Sequence, residues 1–208
     1  MENALGEAYQ LKRAEILGRY TALFCDLEDI VKQTEKRITG DPPDSYFSSN
    51  VNFLTKSFLI SLCCYLEAFL KEIANAYVLE TQERIRAAKV PRNLLLWSTN
   101  REVKQSELKF DMFELSLTRK DIDAELSGNP FKTAKCLQLL GVDVSAVDEF
   151  KNSKELVNTV VAKRNNVIHH NDTAVDISMG DILLYVGHFK RYMTSVDNAF
   201  SLAGHSSA

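Results

Sequence analysis

Between Glu7 and Thr39, apolar side chains recur at alternating spacings of three and four through Leu17, Tyr20, Phe24, Leu27 and Val31, continuing to Ile38. Tyr9, Ile16, Leu23 and Ile30 run beside them at intervals of seven, so the pattern predicts one long helix with a wide apolar face. Gly40-Asp41-Pro42-Pro43-Asp44 ends it, because glycine suits a helix terminus and proline cannot continue one. A second long helix is expected from about Ser49 to Arg86 on Leu54, Phe58, Leu62, Tyr65, Phe69, Ile73 and Tyr77. Its stretch from Ser57 to Leu70 is nearly uncharged, which suits the centre of a bundle or a dimer interface.

From Ala87 to Ser127 the pattern lapses into weak periodicity and many charges, with Pro91 and the only tryptophan, Trp97. This stretch reads as an insertion, in which Leu94 to Trp97 are the residues suited to pack back on the core. Order resumes at Asn129-Pro130, an N-cap followed by a first-turn proline, in a helix that Gly141 closes. A fourth helix runs from Asp148 or Ser153 to the neighbourhood of Ile168. The last starts near Ser178, capped with help from Asp181, and carries Ile182, Leu183, Val186, Phe189, Tyr192, Met193, Val196 and Phe200. Residues 203–208 are expected to be a frayed tail. The whole predicts an all-α, up-down helical bundle: a single domain over residues 1–208 with two long N-terminal helices and an insertion at 87–127.

Composition narrows the function classes. No uninterrupted apolar run reaches the roughly 20 residues that span a membrane, and Glu2 and Glu7 flank no apolar segment of the kind a signal peptide needs. A cytoplasmic protein without a membrane partner is expected. A formal net charge of -3 argues against a broad basic face that coats nucleic acid, so any RNA contact should be local. Cys25, Cys63, Cys64 and Cys136 lie in apolar helical patterns without Cys-x-x-Cys spacing, which predicts buried free thiols, not disulfides or zinc. There is no Gly-rich phosphate loop and no Gly-x-Ser-x-Gly, which removes the simplest NTPase and esterase readings.

Ala162 to Asp172 is the candidate site. Leu156, Val157, Val160, Val161, Val167 and Ile168 form one helical stripe, and at about 100° per residue Arg164 falls near its middle. A guanidinium there needs a partner, either a carboxylate on another helix or a ligand phosphate. Five residues on, His169 lies about 140° around the helix, so the two side chains do not share a face while the helix lasts. A helix end near Ile168 relaxes that constraint.

Arg164 and His169, with Asn165 directly after the arginine, resemble the Arg-x4-His signature of the HEPN superfamily. Tyr65-Leu66-Glu67-Ala68-Phe69-Leu70-Lys71 is similar to the acidic-residue helix of its ribonuclease-type members, found in bacterial toxin and phage-defence systems. The resemblance implies a homodimer in which both motif copies line one cleft and cut RNA without a metal or cofactor, leaving a cyclic phosphate and a 5′-hydroxyl. Arg164, Asn165 and His169 then become the catalytic set, Glu67 the partner of the arginine, and His170 a second candidate. Arginine and histidine suit the work, since a guanidinium is a planar fork for phosphate oxygens and an imidazole exchanges protons near neutral pH. A neutralising antitoxin or a nucleotidyltransferase that modifies the chain fits the same picture. Other readings stay open: a silent nucleotide- or partner-binding module; Arg164 as a structural ion pair; Glu67 paired only with Lys71 four residues on; His169 and His170 as residues favoured at a helix C-terminus. Ser57, Ser61 and Tyr65 face the same groove or bond locally. Histidine and aspartate at 169, 170 and 172 lack the spacing of a metal phosphohydrolase site. No role is assigned to His188 or His205.

Overall fold

Two 38-residue helices, α1 (Glu2–Thr39) and α3 (Val51–Ala88), lie against each other and set the length of the molecule. The computed structural model describes residues 2–170 and 176–205. Between the long helices, Gly40 to Pro43 interrupt the chain, and Asp44 caps the five-residue α2 (Ser45–Ser49) by accepting from the Tyr46 and Phe47 amides. After α3 come α4 (Arg92–Thr99), α5 (Arg119–Glu125), α6 (Pro130–Leu139), α7 (Asp148–His170) and α8 (Met179–His205). The described residues contain no strand, only an isolated bridge between Pro91 and Met112. The all-α reading is right, and the motif lies on the fourth of the helices expected, with short helices added between.

Local rules account for the boundaries. Asn129 accepts from the Phe131 and Lys132 amides with Pro130 in the first turn of α6, and Gly141 adopts a left-handed φ of 79° just beyond its end. Ser178 and Asp181 cap α8 reciprocally. That helix continues through Ala203, which packs on the core, to His205, because nothing in Phe200 to Ala203 breaks a helix; the rest of the expected tail lies outside the described residues.

Helix α8 fits between α1 and α7, and α7 also touches α3. The core is the stripe of Ile16, Phe24 and Val31 on α1, Leu59, Leu66, Phe69 and Ile73 on α3, Val157 and Val160 on α7, and Ile182, Phe189, Tyr192 and Phe200 on α8. Arg13 occupies a buried stripe position of α1, where it donates from Nε to Asp197 Oδ1 at 2.9 Å and from Nη2 to the Asp197 carbonyl at 2.7 Å. Ile30, on the side of α1 that shares a shallow groove with Phe47 of α2, stays 54% exposed.

Three expectations change. Helix α3 is long and apolar enough to cross a membrane by length and composition, with a mean hydropathy of 1.5 over its best window. Of that window 44% is buried inside the molecule, against α1, α7 and α8. Cys63 and Cys136 are buried, but Cys25 and Cys64 are exposed because each falls off the core stripe of its helix. The stretch at 87–127 divides in two. From Pro91 to Thr118 no residue is buried, and Leu94 and Trp97 point away from the core, whereas α5 buries Ile122 and packs on α3.

Candidate ribonuclease-type site

No glycine or proline occurs between Asp148 and His170, so nothing ends α7 at Ile168 and the helix carries on through the motif. Arg164 and His169 therefore stay about 140° apart around one axis. The relaxation expected from an earlier helix end does not occur.

On the inner side, Arg164 has a side chain only 15% exposed, and its Nη2 donates to Glu67 Oε2 on α3 at 3.2 Å. The other Glu67 oxygen, Oε1, accepts from Lys71 Nζ at 2.7 Å, one turn along α3. The carboxylate thus bridges a helical neighbour and a remote arginine, so Glu67 is not paired with Lys71 alone. Burial alone would push the Glu67 carboxyl up, but Lys71 and then Arg164 outweigh it and hold it below the usual carboxylate range. Cys63, one turn before Glu67, lies against the same guanidinium, and burial pushes its thiol up to about 12 despite that positive charge. The Arg164 Nε is buried without a hydrogen-bond partner among the described residues.

On the outer side, Asn165 and His169 are exposed and four residues apart, hence neighbours on one face of α7. Between this face and Arg164 lies Ile168, 46% exposed and at the margin of the apolar stripe. Lys163 pairs with Asp176, tying α7 to the segment before α8. Within one chain the geometry thus joins Arg164 to Glu67 and Asn165 to His169 but does not bring the arginine and histidine onto a common face. The side chain of His170 and residues Asn171 and Asp172 lie outside the described residues.

Neighbours considered for the groove resolve locally. Ser57 and Ser61 donate to the carbonyls of Phe53 and Ser57 at 2.9 Å, and Tyr65 packs edge-on against Phe24 with ring centroids 5.9 Å apart. His188 is on α8 beside Arg191 and Glu149, away from the motif; burial and then Arg191 lower its pKa. Sequence reasoning missed Cys63 as a neighbour of Arg164. Its position four residues before Glu67, on the same helical face, was the available signal.

Comparison with curated proteins and with solved structures found no match. The sequence model of the RiboL-PSP-HEPN family matches residues 26–202, spanning the end of α1, all of α3 with Glu67, the motif on α7 and nearly all of α8. With that match over most of its length, the chain belongs to the RiboL-PSP-HEPN family, helical domains of ribonuclease or nucleotide-binding type.

Proposed function

We propose that this chain is a metal-independent endoribonuclease, a toxin or phage-defence effector, working in the cytoplasm as a homodimer with both Arg164 motifs in one cleft. The observation that carries the reading is the split of the motif over α7: Arg164 oriented by Glu67, and Asn165 with His169 left open to a ligand. A 140° divergence within one chain makes sense when the histidine of one protomer works beside the arginine of the other. Helix α3 supplies a surface for such pairing, because Phe53, Cys64 and Ala68 are exposed on its free side, next to the half-buried Glu67 and Lys71. The product chemistry and the defence role are what family membership supports.

In this mechanism a ribose 2′-hydroxyl attacks its own phosphorus, forming the P–O2′ bond as the P–O5′ bond breaks. One His169 takes the 2′ proton and the His169 of the second copy delivers a proton to the departing 5′ oxygen, so charge and protons balance. Arg164 meets the negative charge that builds on the phosphate oxygens, and Asn165 orients phosphate or imidazole. The products are a 2′,3′-cyclic phosphate and a 5′-hydroxyl.

The test is RNA cleavage in EDTA by wild type, Arg164→Ala and His169→Ala, with product ends mapped. Cyclic-phosphate ends that disappear in both variants support the reading, and equal cleavage by all three overturns it. One observation favours a second reading: the Glu67 pair already occupies the arginine, as in a silent module that binds a nucleotide or a partner. Wild type that leaves RNA intact yet binds a mononucleotide through Arg164 would select it. A neutralising antitoxin or modifying nucleotidyltransferase belongs with the first reading, and toxicity on expression distinguishes an unrestrained effector from a silent module.

A further inference from the structure

Where α1 and α3 run side by side, small residues face each other at Ala8 and Ala76 and leave the space between the helices unfilled. The result is a pocket of about 320 Å³, with Arg119 at the start of α5 on its rim. That volume lies at the lower end of the range of small-molecule sites. Its inner wall is apolar: Ile16 is fully buried, Tyr9 is 6% exposed, and Ala76 and Leu79 follow one another along α3. Asn75, also in the lining, lies eight residues beyond Glu67 on the same helix, about 12 Å along its axis, so the pocket is separate from the Arg164 centre.

Five charged side chains line the pocket, and each is matched within the chain. Glu72 accepts from Arg19 and, at 3.0 Å, from the Tyr20 hydroxyl, while Glu80 pairs with Arg84 and Glu83 with Arg86. Of the cations, Lys12 pairs with Glu15 and Arg119 with Asp123. No carboxylate is left over to draw a cation, and an anion would meet three carboxylates against two cations. Two hydrogen-bonding groups stand outside these pairs. The Asn75 side chain, half-buried and flanked on its helical face by Glu72 and Leu79, makes no hydrogen bond among the described residues. The Tyr9 hydroxyl is buried and likewise without a hydrogen-bond partner among them. A free polar group in an apolar lining is the feature that orients a ligand in a small-molecule site.

We propose that this pocket binds a small neutral molecule in which an apolar ring carries a carboxamide, the ring lying against Ile16, Ala76 and Leu79 and the amide pairing with Asn75. An amide suits Asn75 because each offers a donor and an acceptor side by side, so that the N–H of either reaches the oxygen of the other. A hydrocarbon of the same size fills the pocket but strips the Asn75 amide of water and leaves it unpaired, which costs affinity. An ammonium or carboxylate in the amide's place finds no unmatched charge to offset its own desolvation. A partner helix, about 10 Å across with its side chains, is too wide for this volume.

The experiment is a two-dimensional amide NMR titration of the full chain with benzamide, toluene, benzoate and benzylamine, which share one ring and differ in the group it carries. Benzamide should bind in the millimolar range expected of so small a ligand and shift the amides of residues 8–16 and 72–83 together. Toluene, benzoate and benzylamine should each bind about tenfold more weakly. Asn75→Leu, which keeps the bulk of the side chain, should bring benzamide down to the level of toluene, and Ala76→Leu, which fills the space, should abolish the binding of both. Unchanged amide shifts elsewhere in the two variants confirm the fold. Benzoate or benzylamine binding as tightly as benzamide overturns the proposal, as does benzamide that binds Asn75→Leu equally well, shifts a different part of the chain or does not bind at all. No RNA takes part, so the outcome is independent of the cleavage test.

Discussion

Arg164 Nη2 lies 3.2 Å from Glu67 Oε2, joining α7 to α3 across 97 positions of sequence. The pair both positions a cation and closes the bundle, so its removal has two separable effects.

Arg164→Ala should lower RNA cleavage by about a hundredfold or more, as loss of a preorganised phosphate donor does. It should also cost stability by about 1–2 kcal/mol, less than for a sealed ion pair, because Glu67 is partly exposed and keeps Lys71. Arg164→Lys should regain stability before activity, since an ammonium keeps the charge but loses the planar fork. Urea denaturation and single-turnover cleavage separate the two.

His169→Ala should reduce cleavage about 10²- to 10⁴-fold while leaving the urea midpoint within about 0.5 kcal/mol of wild type, because the side chain is exposed. Mixing this variant with Arg164→Ala gives dimers that retain one arginine and one histidine on opposite protomers. The two-histidine mechanism predicts no recovery in this mixture, because one imidazole is still missing from the cleft. Full activity in the mixture, with mixed dimers demonstrated, would overturn the step in which a second His169 protonates the leaving oxygen.

Acid should weaken the link between α3 and α7. The Glu67 carboxyl is held below its ordinary value of 4.5, so the unfolded chain binds the proton more readily than the folded one. The stabilisation is complete above about pH 4.5 and drains away as pH falls through the lower folded value. Urea midpoints of wild type and Glu67→Gln, followed from neutral pH downward, should differ most at neutrality and converge in acid. A constant difference would remove the electrostatic account.

Arg13 and Asp197 make the more deeply buried pair, with side chains 8% and 15% exposed. Arg13→Ala should destabilise by about 3 kcal/mol, since it strands a carboxylate against the core. Arg13→Met combined with Asp197→Leu should recover most of that, because two apolar side chains leave no uncompensated charge. Denaturant titration of the three proteins checks both statements.

The helices α1, α3, α6, α7 and α8 were legible with boundaries mostly within a few residues, because their signals are local: spacing of three and four, Pro42 and Pro43, the Asn129 cap, Gly141, and Ser178 with Asp181. Positions that depended on a neighbour were not legible. Arg13 is held in the buried stripe by Asp197 on α8, while Ile30, counted in an apolar stripe, and Cys64, expected to be buried, are exposed. Leu94 to Trp97 were the residues of the 87–127 stretch suited to pack back on the core, but backbone hydrogen bonds from Phe113 to Val90 and from Arg92 to Asp111 close that stretch on itself, and Leu94 and Trp97 stay more than half exposed.

For the site, residue order alone determined that Arg164 sits in an apolar stripe, that Asn165 and His169 are neighbours one turn apart, and that arginine and histidine diverge on a continuous helix. These follow from 3.6 residues per turn and the absence of a breaker. The resemblance pointed to Glu67, but only the packing of α7 on α3 brings its carboxylate to 3.2 Å from Arg164 and sets Cys63 beside the pair. Helical periodicity acts over a few residues of backbone, whereas pairing a half-buried charge is decided by which distant helix face can be desolvated against it.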